Sequence, residues 1–526
     1  MSLSTTIYKL RTNSNLSQAE FAELFGVSQQ SVQKWESGVV TPDLNKLINI
    51  SAHFGISLDA LVSDDEKRLS DIIGCTPKFY PEYSGVPQWE SFSAEIMTEY
   101  IQATEEGLNI SSYKKLFEGV SAMPAGINKE KISDVLFDII SAAGIRPDFE
   151  YNEPSTLEEI KALRKPYEFK KSNPERSVLE NKIHGALLGR ICGCTLGKPL
   201  EGVGHKEMLP LLKALNNYPL SRYISYKDLS EDIHKKYLYK QPNCFFPDYN
   251  GFAPEDDDTN YVVIAQTLID TYGRDFTPFD VSRIWLSYQT KDKYCTAERV
   301  AYCNFINGFV PPVSAMYKNP FREWIGAQIR GDYFGYINPG NPEAAAEMAW
   351  RDASISHTKN GIYGEMFISA VIAAAAVSDS ITDIIEAGLA QIPYTSRLYA
   401  EIRSVLSLYK DGARKEDIYQ KIYDKYDEYR ENNWCHVIPN AMLVTIALLY
   451  GNGDYSKSIC MAVECGFDTD CNAATVGSIL GMLGGRNSIP RHWTEPLNDT
   501  LATSLIGKNH VKISEMAQKT MEHIKL

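Results

Sequence analysis

The 526-residue chain carries 53 Lys or Arg against 67 Asp or Glu, a formal net charge of −14, and 44% hydrophobic residues. That length suits about three or four domains at ~150 residues each, and the apolar share excludes a disordered or collagen-like chain. The acidic balance argues against a protein whose whole surface binds nucleic acid, but leaves room for one small DNA-reading module.

No segment reads as membrane-spanning. The longest apolar run, Met366 to Val377, contains Ser369 and falls short of the ~20 residues a spanning helix needs. The opening MSLSTTIYKL has no signal-peptide pattern. Ten cysteines at no CxxC spacing read as free thiols, and the expected location is the reducing cytoplasm.

In chain order, the first predicted elements are short helices. Ser17 is placed to cap a helix from Gln18 to Phe25, and Glu20, three residues on, completes a capping box. Gly26 ends that helix. Ser28 caps a second, Gln29 to Glu36, which Gly38 ends. Thr41-Pro42-Asp43 opens a third, carrying Leu44, Leu47, Ile48 and Ile50. Phe21, Ala22, Leu24, Val27, Val32 and Trp35 are expected on inward faces.

The stretch LSQAEFAELFGVSQQSVQKWESGVVTPDLNKLINISAHFGIS, within residues 4–63, resembles the Xre/Cro family of helix-turn-helix repressors. The resemblance implies that the helix Gln29 to Glu36 enters a major groove. Gln18, Gln29, Gln30, Ser31, Gln33 and Lys34 would then be the DNA contacts. Gln can bond adenine bidentately, and Lys can reach guanine or phosphate. A homodimer on paired half-sites is also implied. The alternative is a small bundle for dimerisation or protein contacts, because six Lys/Arg against eight Asp/Glu up to Arg68 is a thin basic footprint.

Ser63 to Arg68 is polar and reads as a linker, and Pro77, Pro81, Gly85 and Pro87 break the chain again. Amphipathic helices are predicted over Phe92 to Glu106 and Ile132 to Ala143, and Pro166 and Pro174 close this helical extension. No catalytic pattern stands out in it. From Val178 onward the pattern is helical, without sustained period-2 alternation. The predicted fold class is therefore all-α. The domain reading is 1–68 for the helix-turn-helix, 69–177 for the extension and 178–526 for a large helical domain.

Within the large domain, Gly185, Gly189, Gly193 and Gly197 recur every fourth residue, as do Gly477, Gly481 and Gly485. Residues four apart share a helix face, and each glycine costs a helix ~1 kcal/mol relative to alanine. The series predicts a backbone packed hard against another helix or a ligand. Two acidic runs, Pro254-Glu255-Asp256-Asp257-Asp258-Thr259-Asn260 and Gly466-Phe467-Asp468-Thr469-Asp470-Cys471-Asn472, lead straight into apolar helices. Carboxylates so close repel one another unless a cation holds them ionised. Their hard oxygens suit Mg²⁺, Mn²⁺ or Ca²⁺ rather than Zn²⁺.

The motifs HGALLGRICGCTLGKPLEG (His184 to Gly202), EDDDT (Glu255 to Thr259), Gly326-Ala327-Gln328-Ile329-Arg330, the SISHTKNGIYG stretch ending at Gly364, and GFDTDCNAATVGSILG (Gly466 to Gly481) occur in that order. Together, over residues 180–490, they resemble the ADP-ribosylglycohydrolase family. The resemblance implies an all-helical domain with two Mg²⁺ ions, held here by Asp256, Asp257, Asp258, Asp468, Asp470 and Cys471. It implies that Asp257 or Asp470 accepts a proton from water, with Glu201 gating or assisting. Glu201, Gly326, Gln328, Arg330, His357, Gly361 and Tyr363 would contact substrate.

Four positions depart from the family pattern. Asp256 stands in place of Thr or Ser, Cys471 in place of Ser or Thr, Cys194 in place of Asp, and Ile325 in place of Asn. A thiol is a poor Mg²⁺ ligand, which leaves Asp256 as the alternative oxygen donor. The expected function is Mg²⁺-dependent, N-glycosidic hydrolysis of a ribosyl bond in an ADP-ribosyl compound, with a smaller riboside as competitor. The alternative function is a transcription regulator that senses ADP-ribose or another ribosyl metabolite without turnover.

Overall fold

A computed structural model describes residues 3–56, 58–62, 82–169 and 174–525. The predicted linker from Ser63 to Arg68, and Pro77 and Pro81, lie outside the described residues. The chain divides into two compact units, with the boundary after Glu82.

In the first unit, the helices Leu3–Asn13, Gln18–Leu24, Gln29–Glu36 and Leu44–Phe54 enclose Ile7, Phe21, Val32, Trp35 and Ile50. The capping box forms: the Ser17 hydroxyl accepts from the Glu20 amide, and the Glu20 carboxylate accepts from the Ser17 amide. Ser28 and Asp43 cap the next two helices. Leu24 is the exception to the predicted inward set, at 46% exposed. The helix stops there, and Phe25 turns in to take the core position, its ring 4.8 Å from that of Phe21.

The second unit begins at Tyr83. Helices Ile96–Glu105, Lys114–Ser121 and Ile127–Ala142 share a small core of Ile96, Tyr100, Phe117, Leu136 and Ile140. This segment is riveted to the large helical body. The Arg322 guanidinium donates to Glu99 and Glu106 at 2.9 and 2.5 Å, Lys359 reaches Glu106 at 2.6 Å, and Arg397 reaches Glu153 at 2.7 Å.

The large body is built on two antiparallel helices, Arg176–Gly197 and Thr469–Gly484. Their glycines face backbone. A Cβ at Gly185, Gly189, Gly193 or Gly197 would meet Gly481 O, Gly477 O, Ala473 O or Thr469 O at 2.5, 2.2, 2.0 and 2.4 Å. The glycine series thus packs on another helix, and only the missing Cβ allows an approach this close. The helices Lys359–Ala375 and Val437–Gly451 run through the core. The Met366 to Val377 run belongs to that interior, and among the described residues no helix is long and apolar enough to cross a membrane. Among the described residues the sheet content is one antiparallel pair, Thr500–Ala502 with His510–Lys512.

Candidate metal centre

The glycine contact brings the C-terminal end of Arg176–Gly197 against the N-terminal end of Thr469–Gly484, so Lys198 and Glu201 arrive beside Asp468 and Asp470. The first acidic run comes in on the helix Asp257–Tyr272, with Asp256 as its N-cap. Both runs sit at helix N-termini, where the macrodipole favours negative charge.

Two groups of side chains lie together. Ligand atoms of Cys194, Asp256 and Asp258 are within 4.8 Å of one another, and so are those of Asp258, Asp470 and Cys471. All are buried. Asp468 lies beside Asp470, and its Oδ2 accepts from the Cys435 thiol at 3.3 Å. Asp257 is half-buried, and Glu201 is exposed at the edge of the cluster.

Two cations enter from the Arg176–Gly197 helix and the turn after it. Arg190 is fully buried. It donates to Asp258 Oδ1 and Asp332 Oδ2, each at 2.8 Å, and to the Asp258 carbonyl at 2.8 Å. Lys198 forms an ion pair with Asp256 Oδ2 while its ammonium lies 4.5 Å from the Phe245 ring centroid. The other oxygen of Asp256 accepts from the Asp258 amide at 2.9 Å.

Burial, compounded by the neighbouring carboxylates, pushes Asp257, Asp258 and Asp468 well above the usual carboxylate range and raises Asp470. Glu201 is raised, first by the charge of Asp470. Asp256 goes the other way: burial opposes ionisation, but the Lys198 ammonium outweighs it and holds the group low. Burial also pushes the Cys194 and Cys471 thiols well up, so they stay protonated at neutral pH and are weak donors to a hard cation.

The oxygen donors present fit a hard divalent cation. Asp258 Oδ2 and Asp470 Oδ1 are buried and make no hydrogen bond within the protein, which is costly unless something charged meets them. Cys471 adds a neutral thiol in place of an oxygen.

The other residues predicted to contact substrate lie in a second buried group. The backbone ties it to the first, because Arg190 also donates to the Ile329 carbonyl at 2.5 Å. Gly326 makes way for Glu298, whose Oε1 lies 2.0 Å from where a Cβ would stand. Gln328 is buried with neither amide atom partnered, as is His357 Nε2. Burial holds His357 well below its ordinary pKa, and its Nδ1 lies 2.9 Å from Ser356 Oγ.

Three of the residues expected to contact substrate have internal partners or neighbours. Arg330 is engaged by Glu298 and Asp352 at 2.6 and 2.5 Å, so its guanidinium is spent on internal pairs rather than offered to a phosphate. Tyr363 is fully buried and donates its hydroxyl to the Pro154 carbonyl, so its ring is packed inside the fold. Gly361 is a close-approach position, with Arg322 O 2.6 Å from a would-be Cβ.

Arg190 and Lys198 were not among the predicted site residues. Their signal was present: Arg190, Cys194 and Lys198 recur every fourth residue along one face of an otherwise apolar, glycine-rich segment.

In the first unit, Gln29, Gln30, Gln33 and Lys34 are exposed on one short helix, with Ser31 half-buried. Gln18 Nε2 is committed to Glu36 Oε2 at 2.7 Å, beside the Arg11–Glu36 ion pair.

Two family models match the two units. Residues 175–524 match the model of the ADP-ribosylglycohydrolase family, and residues 7–61 match a helix-turn-helix model. An uncharacterized protein of Archaeoglobus fulgidus is 24% identical over 347 residues, covering 64% of this chain and all of its own length. The HTH-type transcriptional activator BcrR of Enterococcus faecalis is 38% identical over 66 residues, 12% of this chain and 32% of BcrR, so the chain spans about a third of that relative. A solved structure described as an ADP-ribosylglycohydrolase-related protein complex aligns over 66% of this chain and 98% of its own, at 17% identity and a TM-score of 0.41. With two thirds of its length matched by one family model, the chain belongs to the ADP-ribosylglycohydrolase family and carries a helix-turn-helix domain at its N-terminal end.

Proposed function

We propose that the protein is a Mg²⁺-dependent hydrolase of ribosyl glycosidic bonds, N-glycosidic in preference, joined to a module that reads DNA as a homodimer. The observation that carries the reading is the pair of buried, unpartnered oxygens, Asp258 Oδ2 and Asp470 Oδ1, held within one cluster. A hard divalent cation bound there supplies positive charge for ribose hydroxyls and lowers the pKa of a water. Asp257, at the open edge, or Asp470 takes the proton from the attacking water. Glu201 gates or assists from the exposed side of the cluster. Gln328 and His357 offer unpartnered polar atoms to the rest of the substrate. Cleavage of a riboside passes through an oxocarbenium-like state, which suits an anionic pocket of this kind.

The test is product formation from ADP-ribosyl-arginine, ADP-ribosyl-serine, O-acetyl-ADP-ribose, ADP-ribose, NAD and nucleosides, with Mg²⁺ and with EDTA. Mg²⁺-dependent cleavage of one compound establishes the reading. Silence across the panel from protein that binds Mg²⁺ refutes it for these substrates.

The second reading, a sensor without turnover, is favoured by the protonated thiols of Cys194 and Cys471 inside the cluster. It requires that ADP-ribose change DNA affinity while no product accumulates. A head that binds no DNA at low salt, with or without ADP-ribose, removes it.

A further inference from the structure

We infer that Lys198 takes the place of one of two cations, so that the centre holds a single divalent ion. The inference rests on the metal reading above and concerns how many ions the residues can accept.

The two side-chain groups share Asp258. In the first, every donor but one is already used. Asp256 gives one oxygen to the Asp258 amide and the other to the Lys198 ammonium. Cys194 is a buried free thiol, a soft donor poorly matched to a hard cation. Asp258 Oδ1 is held by Arg190. The one acceptor left is Asp258 Oδ2.

That same oxygen belongs to the second group, where Asp470 Oδ1 also stands unpartnered. A single ion between Asp258 and Asp470, with Asp257 and Asp468 beside it, uses both free oxygens. A second ion on the Asp256 side would have to displace an ammonium that is itself buried, 9% exposed, and stacked on Phe245. Its only gain would be a singly charged carboxylate and a thiol. The Lys198 ammonium is a fixed positive charge paired with Asp256, so it neutralises that carboxylate without being lost to chelators.

The departures at Cys194 and Asp256 then share one physical reason. An ammonium pairs well with one carboxylate, and a second carboxylate at position 194 would bring surplus negative charge to the same spot.

The probe is Mn²⁺ titrated into the full-length protein freed of metal, with bound metal counted by elemental analysis and its environment read by electron paramagnetic resonance. We expect one equivalent, with the six-line spectrum of an isolated ion. Two equivalents with an exchange-coupled spectrum would overturn the inference and leave the metal reading standing. No bound Mn²⁺ overturns both. The double substitution Cys194→Asp with Lys198→Ala assigns the effect to the lysine: two equivalents and a coupled spectrum are expected, and one equivalent from a variant with native circular dichroism counts against Lys198. Should that variant not fold, the count on the unaltered protein still decides whether one ion or two is bound.

Discussion

At the scale of single residues, the energetics are those of charges removed from water. Asp258→Asn or Asp470→Asn should lower the proposed Mg²⁺-dependent hydrolysis by at least about 100-fold, since the proposed ion is held by both carboxylates and Asp470 is also a proposed proton acceptor. Product release with and without EDTA checks it. Arg190 is the structural counterpart: it pairs with Asp258 and Asp332 at full burial, and breaking a buried pair from one side costs about 3–5 kcal/mol. Arg190→Met should show that loss in urea unfolding.

His436 sets a pH dependence. Burial lowers its pKa to about 4, Glu323 opposing and Arg397 reinforcing the shift, and its Nε2 lies 3.7 Å from Glu105 Oε2. The unfolded chain therefore binds a proton near pH 6.5 that the folded chain refuses until about 4. Stability attached to this residue is complete above pH 6.5 and falls as the pH drops toward 4, by about 3 kcal/mol. His436→Gln should flatten that part of the stability–pH curve.

At the scale of elements, the glycine face of Arg176–Gly197 decides where the site is. Gly193→Ala would put a Cβ 2.0 Å from the Ala473 carbonyl oxygen. Overpacking of this kind costs about 1–3 kcal/mol, and here the strain falls between two helices whose ends carry the acidic cluster. Lower thermal stability and weaker Mn²⁺ binding should appear together. The four-residue period was legible in the sequence because it is a local pattern. Its partner was not, because pairing residue 185 with 481 and residue 197 with 469 is a choice among helices that periodicity leaves open. Capping was equally legible: Ser17, Ser28 and Asp43 bond to amides three residues away, within the reach of a local motif. Leu24 was misjudged because a short helix can end before its last apolar residue turns outward.

At the scale of the whole molecule, the two units have separate cores. A chain of residues 83–526 should therefore hydrolyse at the full-length rate, as measured by single-turnover kinetics on the same substrate. Residues from Tyr83 onward must be kept, since Glu99, Glu106 and Glu153 neutralise Arg322, Lys359 and Arg397 in the large body. In the head, Lys34→Ala should reduce the slope of log binding constant against log salt by about 1 if it meets a phosphate, with anisotropy on labelled DNA as the measurement.

The sequence by itself determined the helical class, the two recognisable domains, the caps and the two acidic runs at helix starts, because these depend on period, spacing and the chemistry of residue types. Tertiary structure decided the rest. It committed Arg330 and Tyr363 to internal partners, since whether a polar group is free depends on what the fold brings beside it. It placed Lys198 among the aspartates, and it seated residues 83–169 on the large body through ion pairs more than two hundred residues apart in sequence. Such pairings cannot be read from composition, because any acidic residue could in principle meet any basic one, and only the packed chain selects which of them do.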